Sequence, residues 1–257
     1  IKSSAASDVY KRQGNYLYVY KGVYATDEDV PVNPLTGERL RMGGNTSTQA
    51  YFKAGDPIWV DVNGDYIIDE KDKVIVGNSQ PRMTGGISIN LRYKAFSINT
   101  NCSFTLRRDI INKALADRFR AYGTPVAGKV NLTGSGALTP IEAYNFWTED
   151  NIYAQYPNPF DYTRSSIIQP FRYDQTLFME DGSYFKINGI SVAYTIPKKM
   201  LDFFRISRCQ LNFSMNNIYT FSKYSGINPE NVNNLGYDTS GGYPNGRTVT
   251  FGVSMDF

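Results

Sequence analysis

Apolar and polar residues alternate along this chain in several long, regular stretches. In the last eleven residues Val249, Phe251, Val253, Met255 and Phe257 are apolar, and Thr248, Thr250, Gly252, Ser254 and Asp256 between them are polar or small. Successive side chains of a strand point to opposite faces, so this spacing predicts a strand with one apolar and one polar face. Ile87, Ile89, Leu91 and Tyr93 alternate in the same way with Ser88, Asn90 and Arg92. After Lys94-Ala95, the residues Phe96, Ile98, Cys102, Phe104 and Leu106 alternate with Ser97, Asn99, Asn101, Ser103 and Thr105. That is a tight hairpin with about ten residues per arm, against about 5–6 for an ordinary strand and about 9–11 for a tilted membrane-spanning one.

Two further strands are predicted over 183–196 and 208–220. In the first, Ile190, Val192, Tyr194 and Ile196 share a face while Phe185 and Ile187 fall on the opposite parity. That break places a bulge near Asn188-Gly189, and Pro197 ends the strand. In the second, Cys209, Leu211, Phe213 and Met215 oppose Gln210, Asn212, Ser214 and Asn216. Asn15 to Tyr24 also alternates, with Tyr16, Tyr18 and Tyr20 against Leu17, Val19 and Val23, and reads as a first strand.

The stretches between these strands alternate in length: long over 25–83, short over 94–95, long over 107–182, short over 197–206, long over 221–246. Short local strands are expected near 58–60 and 74–76, and a helix over 112–122, where Ala114, Leu115, Phe119 and Tyr122 recur at helical spacing. Outer-membrane barrels join their strands by short periplasmic turns and long external loops. The expectation is an all-β, antiparallel transmembrane β-barrel segment of about six strands, whose even count puts the C-terminus on the short-turn side. The competing architecture is a soluble secreted β-sandwich, a carbohydrate-binding or adhesion module with three elaborate loops on one side; its apolar faces would be buried in a core.

Composition narrows this further. Mean hydropathy is −0.39, yet aromatics make up 14% of the 257 residues, as expected of half-apolar strands with interfacial rings. No apolar run is long enough for a transmembrane helix. The net charge of +3 comes without a Lys/Arg cluster, so no nucleic acid is expected as a partner. The absence of histidine removes Ser-His-Asp and Cys-His catalysis and most zinc chemistry, and no catalytic residue is expected. Cys102 and Cys209 sit far apart on apolar strand faces and read as plain strand residues. Residues 1–13 lack the strand pattern: they read as a non-native or disordered leader, or as a native polar linker.

One stretch has the spacing of a metal loop. Asp61, Asn63, Asp65, Asp69 and Asp72 fall at positions 1, 3, 5, 9 and 12 of a calcium loop, and Ile67 at position 7 would offer its carbonyl. Against it, Tyr66 stands where the sharp-turn glycine belongs, and Asp72 is shorter than the usual bidentate glutamate. The alternative is a turn cluster whose side chains bond its own backbone, without metal. Tyr144, Phe146, Trp147, Tyr153, Tyr156 and Tyr243 either touch a sugar or peptide or pack the loops together.

Several segments together carry a family resemblance: Tyr18 to Tyr24; Ala54-Gly55-Asp56 running into Val60 to Asp65; Val76 to Pro81; Glu180 to Ile190; Asn217 to Gly226; and Gly242 to Phe257. Over roughly 14–257 the chain resembles the C-terminal part of SusC/RagA-like TonB-dependent outer-membrane transporters. It departs from the pattern at Tyr66 and Ala95, where glycine is usual. The resemblance implies a share of a 22-stranded barrel, placed in the bacterial outer membrane and contacting its lipid. It implies import of oligosaccharides or peptides, with a SusD-like surface lipoprotein delivering the cargo. It also implies energy from TonB–ExbB–ExbD through an N-terminal plug that this chain lacks. Phe251, Val253, Met255 and Phe257 would be the signal read by the barrel-assembly machinery. On this reading the closing strand pairs with a first strand outside the chain.

Overall fold

The computed structural model describes residues 14–44, 48–122, 125–126, 129–130, 143–164, 166–201, 206–238 and 245–256. The expected leader over residues 1–13, Phe257 of the assembly signal and Tyr243 of the aromatic set lie outside these described residues. Residues 14–257, read from the sequence as one barrel portion, divide into two compact units. One draws on 14–80, 110–180 and 231–238, the other on 81–109, 181–230 and 245–256.

The second unit is a single antiparallel sheet. Its strands are β1 (Met83–Tyr93), β2 (Phe96–Leu106), β3 (Tyr184–Thr195), β4 (Arg208–Ser222) and β5 (Thr248–Asp256), in the spatial order β5-β4-β3-β2-β1. Register turns the alternating pattern into rows. Leu91 faces Ile98, Ile98 faces Val192, Val192 faces Phe213 and Phe213 faces Phe251, an apolar row crossing all five strands. On the opposite face Asn90, Asn99, Ser191, Ser214 and Thr250 form a matching polar row.

Local chemistry fixes that register. Lys94 takes φ 51° in the two-residue β1–β2 turn, the left-handed backbone such a hairpin requires. Gly85 lies opposite Phe104, whose ring covers it so closely that a Cβ there would sit 2.6 Å from the ring. The expected bulge is present: the pairing of β3 shifts between Ile187 and Gly189 against both neighbours. That shift returns Ile190, Val192 and Tyr194 to the face of Phe185 and Ile187. Beside it Asn217 adopts φ 55° and its amide donates to the carbonyls of Asn245 (2.6 Å) and Gly246 (3.3 Å).

The sheet has five strands, not six. Asn15 to Tyr24 is no barrel strand but two short pieces of the other unit. Asn15–Leu17 pairs with Val74–Val76, and Tyr20–Val23 pairs with Pro57–Trp59. The physical reason is burial on both sides. Leu17 is 0% and its neighbour Tyr18 1% exposed, so both parities are packed into the unit at that point, and Gly22 at φ 142° interrupts the extended run. The short-turn placement of the C-terminus survives with an odd count. β1, β3 and β5 run toward the end of the sheet that carries the two short connections.

The first unit is built from the long connections, which are folded rather than open. One core gathers Tyr18, Tyr24, Phe52, Trp59 and Ile68; another gathers Leu17, Ile111, Phe119, Phe146 and Phe178. The expected helix is α1 (Lys113–Tyr122). Asn112 caps it, its Oδ1 accepting from the Leu115 N–H at 3.0 Å, and Ala116 and Phe119 turn its apolar stripe inward.

Candidate functional site

The sheet offers two surfaces of opposite character. On one, Ile87, Ile89, Leu91, Tyr93, Phe213, Tyr219, Phe221, Val249, Phe251, Val253 and Met255 are exposed. Five strands of apolar rows form a contiguous patch far beyond what water-facing monomers carry. A soluble sandwich would have covered this face with a second sheet. The other surface is lined by uncharged hydrogen-bonding side chains that bridge between strands. The Ser88 hydroxyl donates to Asn101 Oδ1 at 2.9 Å, the Ser103 hydroxyl to Asn188 Oδ1 at 3.2 Å. Lys186, 8% exposed, is the charged side chain buried there, paired with Glu230. Of the assembly-signal residues, Phe251, Val253 and Met255 lie on the apolar face of β5, the outermost strand of the sheet.

The acidic turn is closed by its own backbone. Asp61 accepts from the N–H groups of Gly64 (2.7 Å) and Tyr66 (2.8 Å). Asn63 Oδ1 accepts from the Asp65 N–H at 2.9 Å, and Asp65 from the Ile67 N–H at 2.8 Å. Asp69 accepts from the Lys71 N–H at 2.8 Å, and Asp72, fully buried, accepts from the N–H groups of Val62 (2.9 Å) and Asp69 (2.8 Å). Tyr66 itself takes φ 61°, making the bend that glycine makes in a calcium loop. The side-chain oxygens point at amides rather than at a common centre. Among the described residues no group of three or more His, Cys, Asp or Glu is placed to hold a metal ion.

The aromatic set packs the first unit. Tyr144, Phe146 and Tyr156 surround the Phe119 ring at centroid distances of 4.8–5.0 Å. The Trp147 indole donates to the Ala25 carbonyl at 3.2 Å, and Tyr153 alone of the described members is widely exposed. Two ionic nodes that no sequence pattern marks hold this unit. Arg164 reaches Asp56 through Nε at 3.0 Å and again through Nη2, and donates to the Tyr51 carbonyl at 2.5 Å. Burial pushes the Asp56 carboxyl up, against the guanidinium, which pulls it down. Asp174 sits between Arg172 (2.5 Å) and Lys73 (2.8 Å). Asp56 and Arg164 lie 108 positions apart and Lys73 and Asp174 101, so spacing alone could not pair them.

No protein-family model matches the chain. A TonB-dependent receptor of Formosa agariphila, P3, is 28% identical over 94% of this chain and 22% of its own length. Another from the same organism, P39, is 25% identical over 94% of this chain and 25% of its own. The TonB-dependent receptor SusC of Bacteroides thetaiotaomicron is 23% identical over 96% of this chain and 24% of its own. The chain thus spans about a quarter of the length of these curated relatives. Among solved structures, the RagAB peptide transporter superposes with a TM-score of 0.62 at 18% identity, over 95% of this chain and 22% of that one. The RagAB importer in its open-open state gives 0.60 at 19%, over 94% and 22%. At that identity the superposition speaks for the fold, an antiparallel barrel segment. In sequence and in fold this chain is SusC/RagA-like, similar over nearly its whole length to about a quarter of a TonB-dependent receptor.

Proposed function

We propose that this chain is the C-terminal barrel portion of a TonB-dependent outer-membrane importer that takes up oligosaccharides or peptides with a SusD-like lipoprotein. The observation that carries the reading is the pair of rows through Leu91–Phe251 and Asn90–Thr250: one face fit for lipid, the other for a polar lumen. The sheet supplies barrel wall, and the folded first unit supplies the external loops, stiffened by the Asp61–Asp72 turn. TonB–ExbB–ExbD acts through parts of the receptor outside this chain, and the barrel-assembly machinery reads the strand that holds Phe251, Val253 and Met255. The cargo crosses unchanged, so no side chain here performs bond chemistry.

The test is fractionation of the full-length gene product. The expected result is recovery in the outer membrane with heat-modifiable, detergent-dependent migration, and loss of growth on the cognate glycan or peptide when the gene is deleted. Recovery in the soluble fraction would sink the proposal and restore the secreted sandwich.

A further inference from the structure

The polar face of the sheet is open in its middle row and covered toward its long-connection end. Asn90, Asn99 and Thr250 are exposed, whereas Lys186, on the same face and opposite Thr220, is 8% exposed. The chain that follows β4 covers it. Ser222 Oγ donates to the Ser183 carbonyl at 3.1 Å and accepts from the Tyr224 N–H at 3.1 Å, which bends the backbone as β4 ends. Tyr224 is 7% exposed, and its ring lies over Gly226, where a Cβ would come within 2.3 Å of it. Asn228 Oδ1 accepts from the Glu230 N–H at 2.9 Å, and Glu230 pairs with Lys186. Arg108 donates through Nη2 to the Pro229 carbonyl, and its guanidinium lies 5.9 Å from the centroid of Tyr184, a ring on the face of Lys186. The segment Tyr224–Glu230 is therefore a strap laid back over the polar side of β3 and β4.

The strap does not pack flat. A cavity of about 230 Å³ separates it from the wall, with Lys186, Ile218 and Thr220 on the wall side and Ile227, Asn228 and Pro229 on the strap side. Charge-assisted contacts hold its far end across this gap. A segment with a cavity beneath it opens locally at less cost than one packed on a core, and breaking one partner of a largely buried ion pair removes much of what keeps it closed. We infer that Tyr224–Glu230 is a latched strap that lines the import path over β3 and β4, and that the Lys186–Glu230 pair is its latch and sets the size of cargo that passes along this wall. The inference rests on the membrane-barrel reading above, which makes the polar face the side that cargo meets. Lys186 acts here as a positioning residue: it holds the strap through Glu230.

The full-length receptor in outer membranes tests this. Thr220→Cys, on the wall beneath the strap, is placed in a background cleared of other cysteines and labelled with a polyethylene-glycol maleimide. Lys186→Met and Glu230→Gln should each speed labelling by about tenfold, and the charge swap K186E/E230K should restore the slow rate. Where Lys186→Met fails to insert, Glu230→Gln, at the more exposed end of the pair, carries the comparison. Labelling of both single variants at the wild-type rate overturns the latch. A swap that labels as fast as the single variants makes Lys186 a packing residue and overturns it too. The second readout is growth on size fractions of the glycan or peptide digest that supports the wild type. Glu230→Gln should admit longer members, and an unchanged size range despite faster labelling overturns the strap as part of the path. Fractionation separates the two readings: an inserted receptor with a failed latch touches the strap alone, whereas a wild-type receptor absent from the membrane removes the barrel reading and the strap with it.

Discussion

Arg164 and Asp56, 108 positions apart, form a two-point ion pair with side chains only 5% and 2% exposed. Asp56 also accepts from the Lys53 N–H at 2.9 Å, and its carbonyl accepts from the Tyr24 N–H at 3.0 Å. One carboxyl thereby ties the Ala54-Gly55-Asp56 corner to a segment across the first unit. Removing one partner of such a pair leaves a buried charge unmatched, at a cost of about 3–5 kcal/mol. Arg164→Met should therefore make the first unit protease-sensitive under conditions where the wild type resists. The loss should shrink as pH falls, because protonation neutralises the stranded carboxyl. Limited proteolysis across pH 4–8 reads this, and a pH-independent loss would mean that packing of the Arg164 stem dominates.

Asp174 makes a second node with an acid limb and a base limb. Burial alone would raise its pKa, but hydrogen bonds from Arg172 and Lys73 bring it net below the ordinary 3.8. A depressed carboxyl stabilises the fold above its unfolded value and loses that contribution as pH falls through the folded one. Lys73 is opposite in sense: burial lowers its pKa, while Asp174 and Glu70 bring it net above 10.5. Its contribution is complete below 10.5 and fades above. The first unit should thus hold its near-UV circular dichroism between about pH 4 and 10.5, and Asp174→Asn should flatten both limbs together.

The Asp61–Asp72 turn should be indifferent to calcium. With each carboxylate occupied by backbone N–H groups, Asp72→Ala should cost about 1–3 kcal/mol through the amides of Val62 and Asp69 left without an acceptor. Calcium or terbium should change neither the unfolding midpoint nor tyrosine-sensitised emission. A calcium-dependent rise would mean that the oxygens turn from amides to an ion.

Charge placed on the two faces of the sheet should have unequal effects. Leu91→Arg, at the β1 end of the apolar row, should lower barrel stability in lipid by about 1–4 kcal/mol, a cost that grows with depth toward the bilayer midplane. Asn90→Asp, one residue away on the polar row, should be nearly neutral. Heat-modifiable migration of the reconstituted receptor compares them, and equal losses would contradict the two-faced wall.

Much of this was written in the sequence. The long strands, their two-faced pattern, the Lys94-Ala95 turn and the bulge at Asn188-Gly189 follow from period-two alternation, because a strand declares which side each residue faces. The helix behind Asn112 was equally legible. The family likeness rested on short motifs readable without coordinates. The sequence misled at Asn15 to Tyr24, where alternating tyrosines imitate a barrel strand but Leu17 and Tyr18, on opposite parities, are both buried. It also left the Asp61–Asp72 turn open between metal and backbone, since spacing places oxygens without saying what they face. Only the tertiary structure decided the row through Leu91, Ile98, Val192, Phe213 and Phe251 and the pairing of Asp56 with Arg164. Those depend on residues distant in the chain becoming neighbours, and local pattern records the face of a residue but not its partner across the fold.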